Sequence, residues 1–159
     1  MTKTAETIVA ILSESVDAAE MMRHAVDTLT QFGVSFRKEQ LTSRDALTET
    51  IARFSNAGAA IFIIADSVPV PLSAAVSRLT LKPVLAVPLE SPGFPALSAL
   101  QSTTAADAPV ASLAIGKAGA TNAALLAIAI LANSSTELAQ KLQAFRTQQT
   151  TKVLADVLE

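Results

Sequence analysis

The chain has 159 residues, half of them hydrophobic, with a mean hydropathy of +0.43, 16% charged residues and a net charge of −2. With no cysteine, disulfides and thiolate chemistry are excluded, and the scattered Lys and Arg lack the basic footprint of a nucleic-acid binder. A membrane helix needs about 18 consecutive apolar residues, whereas the longest candidate, Ala118–Ala132, is shorter and contains Thr121 and Asn122.

This length fits a single domain over 1–159 with a full core. Residues 1–6 are polar and expected to fray. The opening MTKTAETIVAI has no basic region leading into a long apolar run, so a cytoplasmic location is expected.

Strand-like and helical runs alternate along the chain. Thr7–Leu12 is the first strand candidate. Asp17–Phe32 carries apolar residues at helical spacing, with Asp17 placed to cap it and Gly33 to end it. Ser35–Leu41 reads as a second, more charged strand, followed by a helix capped by Thr42 or Ser43, running to Asn56 and closed by Gly58. Ala60–Ala65 (AIFIIA) is continuously apolar, as expected of a parallel strand covered on both faces. After a proline-bearing loop come a helix over Pro71–Leu79, a strand Val84–Val87 behind Pro83, a loop Ser91–Pro95 and a short helical piece Ala96–Gln101. Ser102–Ala108 shows no periodicity.

The most informative stretch follows: PVASLAIGKAGATNAALLAIAIL, a strand Val110–Ile115, a glycine-bearing turn, and a helix of Ala, Leu and Ile. A helix apolar all round is expected to be buried all round, in the core or against another subunit. Asn133–Ser135 breaks it. A long helix, Thr136–Leu158, then presents Leu138, Leu142, Phe145, Val153, Leu154 and Leu158, which need a partner surface.

Five strands alternating with helices predict an α/β fold: a three-layer αβα sandwich with a parallel, flavodoxin-like sheet and an extra C-terminal helix. Ligands bind beyond the carboxyl ends of such strands, which directs attention to Ser13–Val16, Leu41–Arg44, Asp66–Leu72, Glu90–Pro95 and Gly116–Thr121.

Taken in order, these segments resemble the class I PurE family, the carboxyaminoimidazole ribonucleotide mutases of purine biosynthesis. APVASLAIGKAGATNAALLAIAILA is similar to the family's G-V-P-V-A-T-V-A-I-G-x-A-G-A-x-N-A-A-L-L-A pattern. KPVLAVPL resembles its L-P-V-I-G-V-P-V strand, ETIVAIL its first strand, and ELAQKLQAFRTQQTTKVL its C-terminal helix. The resemblance implies a homo-octamer with sites at subunit interfaces and the final helix (135–159) packed on a neighbour.

The ligand-facing loops depart from the family pattern. Where the family reads G-S-x-S-D at a phosphate cradle, this chain has Ser13-Glu14-Ser15-Val16-Asp17, and a glutamate there repels a dianion. The S-A-H-R-T-P loop becomes LTSRDA, with Arg44 standing for the family's arginine. The A-G-A-G-G-A-A-H-L-P-G loop, which carries the family's catalytic histidine, becomes ADSVPVPLSAA, with Val70 or Pro71 at that position. The family's N-G-x-D-S-L-x-S-I-V-Q-M-P-x-G lid is reduced to FPALSALQSTTAADA.

The mutase reaction moves a carboxylate between an exocyclic nitrogen and a ring carbon, which needs a proton carrier with a pKa near neutrality. The single histidine, His24, is expected inside the first helix, about two turns past its cap. The sequence therefore predicts no catalytic residue of the family type, no cofactor and no metal site. The expected protein is a PurE-like paralogue that has lost efficient mutase activity and binds a nucleotide or other small anion, regulates, or serves a structural role. The alternative is an active enzyme of purine biosynthesis, a mutase or carboxylase on aminoimidazole ribonucleotide, or a related carboxylate-transfer enzyme with altered site residues. A third reading is a subunit that borrows a histidine from a complete partner.

The candidate ligand-binding residues are Ser13, Ser15, Asp17, Arg44, Asp66, Ser67 and Lys117. Each also has a plain structural role open to it: Ser13 and Ser15 as turn or cap residues, Asp66 and Ser67 in a hydrogen-bonded turn. Arg44 can hold an anion beside Asp17 or pair with Asp45 or Glu49. Lys117 can hold an anion at a helix start or sit in a solvated loop.

Overall fold

The computed structural model describes residues 8–67, 70–90, 93, 95–103 and 108–156. Five strands, β1 (Ile8–Ser13), β2 (Phe36–Gln40), β3 (Ala59–Asp66), β4 (Val84–Pro88) and β5 (Ala111–Ser112), form one sheet in the order β2-β1-β3-β4-β5. All pairings are parallel. The helices are α1 (Val16–Met21), α2 (Arg23–Phe32), α3 (Leu47–Asn56), α4 (Leu72–Ser77), α5 (Ala96–Thr103), α6 (Gly116–Ala132) and α7 (Thr136–Asp156). This is the doubly wound α/β architecture expected of alternating strands and helices.

The strand alternation sorts the core into two layers. Val9, Ile11, Ile61, Ile63, Leu85 and Val87 face one side, where they meet Ala25, Leu29 and Phe32 of α2 and Ala123, Ala124, Ala127 and Ile128 of α6. Ile8, Ala10, Leu12, Phe62, Ile64 and Val84 face the other, against Leu47, Ile51 and Phe54 of α3 and Leu72 and Val76 of α4. β3 is buried along almost its whole length because it lies mid-sheet with helices above and below.

Several boundaries differ from the sequence expectation, each for a local reason. The expected helix Asp17–Phe32 is two helices meeting at the buried Met22. Its cap is Ser15, not Asp17: Ser15 is extended and its hydroxyl accepts from the Ala18 amide at 3.1 Å. Asp17 lies in the first turn, where its charge suits the positive end of the helix. Gly33 does end α2, at φ +71. Ser43 caps a short 3₁₀ turn, Arg44–Ala46, that leads into α3.

The expected strand Val110–Ile115 shrinks to two residues, because only Ala111 and Ser112 pair with β4 before the chain turns. The following helix accordingly starts at Gly116 rather than Ala118. Gly119 makes that tight entry possible: a Cβ there would sit 1.7 Å from the Ala114 carbonyl oxygen and 3.1 Å from Val87.

α6 is not buried all round within the single chain. Gly119, Ala120, Ala123, Ala124, Ala127 and Ile128 are buried, while Leu125, Leu126, Ile130 and Leu131 are half-buried against the same layer. Part of its cover is the final helix, corrected here from a helix that needs another subunit for all its apolar residues. Leu142 is buried, and Leu138 and Phe145 pack on the chain's own core. Phe145 meets Phe32 edge-to-face at 5.4 Å, a contact worth about 0.5–1.5 kcal/mol. Lys141 donates to the Phe32 carbonyl at 3.2 Å and pairs with Glu137, whose pKa its hydrogen bond lowers. Val153 and Leu154 remain exposed, at 59% and 61%. Residues 1–6, Leu158 and most of the expected loop Ser91–Pro95 lie outside the described residues.

A Gly119→Ala chain should be destabilised by about 3 kcal/mol, since overpacking against backbone is costly, and a thermal melt beside the unaltered chain measures it.

Candidate functional site

The strand order reverses direction between β1 and β3, and ligands in open parallel sheets bind in the crevice where that happens. Three loops leave the sheet there, after Ser13, after Gln40 and after Asp66. Pairing of Ser13 with Gln40 and of Leu12 with Ile64 keeps these exits side by side. The Leu41 amide donates to the Ser13 carbonyl at 2.8 Å, which continues the ladder one residue past β2.

Arg44 ties the three loops together. Its Nε donates to Glu14 Oε1 at 2.5 Å, and its Nη2 donates to Glu14 Oε2 at 2.6 Å and to the Val70 carbonyl at 2.6 Å. The Glu14 pairing is a two-pronged fork, the geometry in which guanidinium and carboxylate hold each other most strongly. The hydrogen bond to Glu14 pushes the arginine's pKa further up. Both side chains keep contact with solvent, at 36% exposure for Arg44 and 24% for Glu14. An exchangeable pair of this kind contributes on the order of 1 kcal/mol to stability.

Two sequence expectations are corrected here. Arg44 pairs neither with Asp45, which instead accepts from the Ser43 hydroxyl, nor with Glu49. Glu14, expected as a repulsive intruder, is the arginine's partner. The pairing is thirty residues apart in sequence, and the signal that reveals it is spatial: neighbouring parallel strands bring the loops that follow them side by side.

Asp66, at the carboxyl end of β3, is 1% exposed. Its Oδ1 accepts from the Ser73 amide at 2.8 Å and its Oδ2 from the Ser73 hydroxyl. Burial pushes its pKa up, while the bonds from Ser73, the Leu72 amide and the charge of Arg44 pull it partly back. This carboxyl therefore fastens the start of α4 to the end of β3. Ser73, seven residues on, was not singled out by motif or spacing.

The other expected site residues are distributed along the same edge. Ser13 is buried at the end of β1; Ser15 is exposed and engaged as a cap; Asp17 is exposed; Ser67 is half-buried just past β3. Lys117 is exposed in the first turn of α6. His24 is half-buried on α2, nine residues past Ser15, roughly 13 Å along a helical path. A cleft of about 280 Å³ lined by Ile11, Ser13, Ala19, Lys38, Glu39 and Gln40 opens on the α1 side of β1 and β2.

Removing the Asp66 carboxyl should be felt twice. Asp66→Ala leaves the Ser73 amide and hydroxyl without their buried partner, a loss of about 1–3 kcal/mol measurable by denaturant titration. A carboxyl whose pKa is higher folded than unfolded gives its full stability below the ordinary aspartate value and loses it as pH rises through the folded one. Asp66→Asn abolishes that dependence. Paired melts from about pH 3 to 7 should therefore show the variant gaining on the unaltered chain as pH climbs through that window.

Comparison with known proteins agrees with this architecture. The AIR carboxylase family model matches residues 8–152. The N5-carboxyaminoimidazole ribonucleotide mutase of Brucella melitensis is 35% identical over 91% of this chain and 93% of its own. The mutase of the same name from Haemophilus influenzae is 35% identical over 97% and 96%, and that from Saccharolobus solfataricus 33% identical over 95% and 98%. The crystal structure of Treponema denticola PurE superimposes with a TM-score of 0.83 at 18% identity, covering 94% of this chain and 96% of that one. With a family match across nearly the whole sequence and relatives aligned end to end, this chain belongs to the AIR carboxylase family.

Proposed function

We propose that the chain is an enzyme acting on a carboxylated aminoimidazole ribonucleotide, at the edge where β1, β2 and β3 end. The observation that carries this reading is the relationship over nearly the full length to proteins named for that mutase reaction. It favours an active enzyme with altered site residues over the paralogue without turnover that the loops alone suggest. The reaction class breaks a bond from carboxyl carbon to exocyclic nitrogen, forms one to a ring carbon, and carries the ring-carbon proton to that nitrogen. Arg44, Ser13, Ser15, Asp17, Ser67 and Lys117 are the proposed ligand contacts, and the cleft beside Lys38 is of a size near the lower end for small-ligand sites.

Assembly is part of the same proposal. The exposed Val153 and Leu154 near the end of α7 support packing of its distal part on a neighbouring copy, and the family resemblance points to eight copies. A cytoplasmic setting fits such an enzyme. Among the described residues, no helix is long and apolar enough to cross a membrane.

A second reading, a binding protein without turnover, is favoured by one observation: the only histidine of the chain lies half-buried on α2. Loss of a general acid–base typically lowers a rate by ~10²–10⁴. Purified protein incubated with N5-carboxyaminoimidazole ribonucleotide labelled with ¹³C at the carboxyl, followed by NMR, separates the two. The expected result is migration of the label to the ring carbon above the uncatalysed background, slower than a histidine-bearing relative by about that factor. Migration at background overturns the enzyme reading.

A further inference from the structure

The site already contains an anion. Glu14 presents two carboxylate oxygens to the Arg44 fork, at 2.5 and 2.6 Å, in the arrangement that a ligand's carboxylate or phosphate would adopt. It does so from a loop of only two residues, Glu14 and Ser15, between β1 and α1. The loop cannot move far, because the Ser15 cap and the bond from Leu41 to the Ser13 carbonyl fix both sides of Glu14. The Glu14 side chain, by contrast, has three rotatable bonds and reaches solvent. The bond from Nη2 to the Val70 carbonyl orients the guanidinium independently of Glu14, so the fork stays aimed when the carboxylate leaves.

We propose that Glu14 is a built-in competitor for the Arg44 anion site, which an oxyanion ligand enters by displacing it. This inference rests on the reading that the edge takes an anionic ligand, and adds what controls entry. While Glu14 is in place the charge of Arg44 is cancelled, and an approaching dianion meets no net attraction there. With Glu14 turned away, the same guanidinium is open, pre-aimed and partly shielded from water. The pair therefore sets a threshold: a ligand must offer a fork-compatible oxyanion and enough further contact to repay the exchange. Glu14 is thus a specificity-determining residue rather than a catalytic one.

The test is binding, with inorganic phosphate and succinate as separate probes, by isothermal titration calorimetry at low ionic strength. Glu14→Gln keeps the side chain's size and removes its charge; Glu14→Ala is the companion should the glutamine chain melt early. At least one probe should bind about tenfold more tightly to the variant than to the unaltered chain. Phosphate and succinate together report whether the opened fork prefers a dianionic phosphate or a carboxylate. The gain should vanish in the double variant Glu14→Gln with Arg44→Met. Unchanged affinity for both probes in a folded Glu14 variant, or a gain that survives loss of Arg44, overturns the proposal. No turnover enters this readout, so its failure leaves the carboxyl-migration reading untouched, and the converse also holds.

Discussion

One guanidinium bridging three loops is the constraint on which the carboxyl edge of this sheet depends. Strands β2, β1 and β3 lie side by side in an order that differs from their order in the chain, and the loops after them meet at residues 44, 14 and 70. Arg44 reaches the Glu14 carboxylate and the Val70 carbonyl at once, and the charge of Arg44 also bears on Asp66. None of these contacts is worth much as stability, because the pair is partly hydrated. Their importance is electrostatic. They decide how much positive potential the edge shows to an anion.

The architecture is legible in the sequence because burial writes it plainly. AIFIIA needs cover on both faces, and its alternation splits it into Ile61 and Ile63 on one side and Phe62 and Ile64 on the other. The small residues Ala120, Ala123, Ala124 and Ala127 let one face of α6 lie in the core, and Gly33 marks a helix end through its left-handed backbone. The errors fall where tertiary contacts override local pattern. β5 is cut to two residues by the turn that seats Gly119 against Ala114, and no periodicity encodes that. The first helix is interrupted at Met22, where ψ opens to −7 although the backbone stays in the right-handed helical region.

Site residues were legible by location and illegible by pairing. Ser13 and Asp66 are the last residues of β1 and β3, and Arg44 follows β2 by four residues, places that a rule of topology identifies in advance. Their partners do not follow from motif spacing: Glu14 is thirty residues from Arg44, and Ser73 lies beyond two prolines from Asp66. Glutamate beside a proposed anion site reads as repulsion when considered alone. Read with its neighbour across the β1–β2 pairing, it becomes half of an ion pair.

The same geometry bears on the proton problem. Burial pushes the pKa of Asp66 upward, yet both its oxygens are held by Ser73 and its exposure is nearly nil. A carboxyl so engaged anchors a loop and does not reach a ligand without breaking two bonds. A proton carrier for the proposed carboxyl migration is therefore to be sought elsewhere on this edge, on a neighbouring copy, in ordered solvent, or in the substrate's own groups. The scaffold does not oppose such a change. The packing of α6 at Gly119 leaves no room for a Cβ, whereas the Arg44–Glu14 pair at the edge is partly exposed to solvent and can exchange partners. Chemistry at the edge can accordingly diverge while the sheet and its helices keep their form.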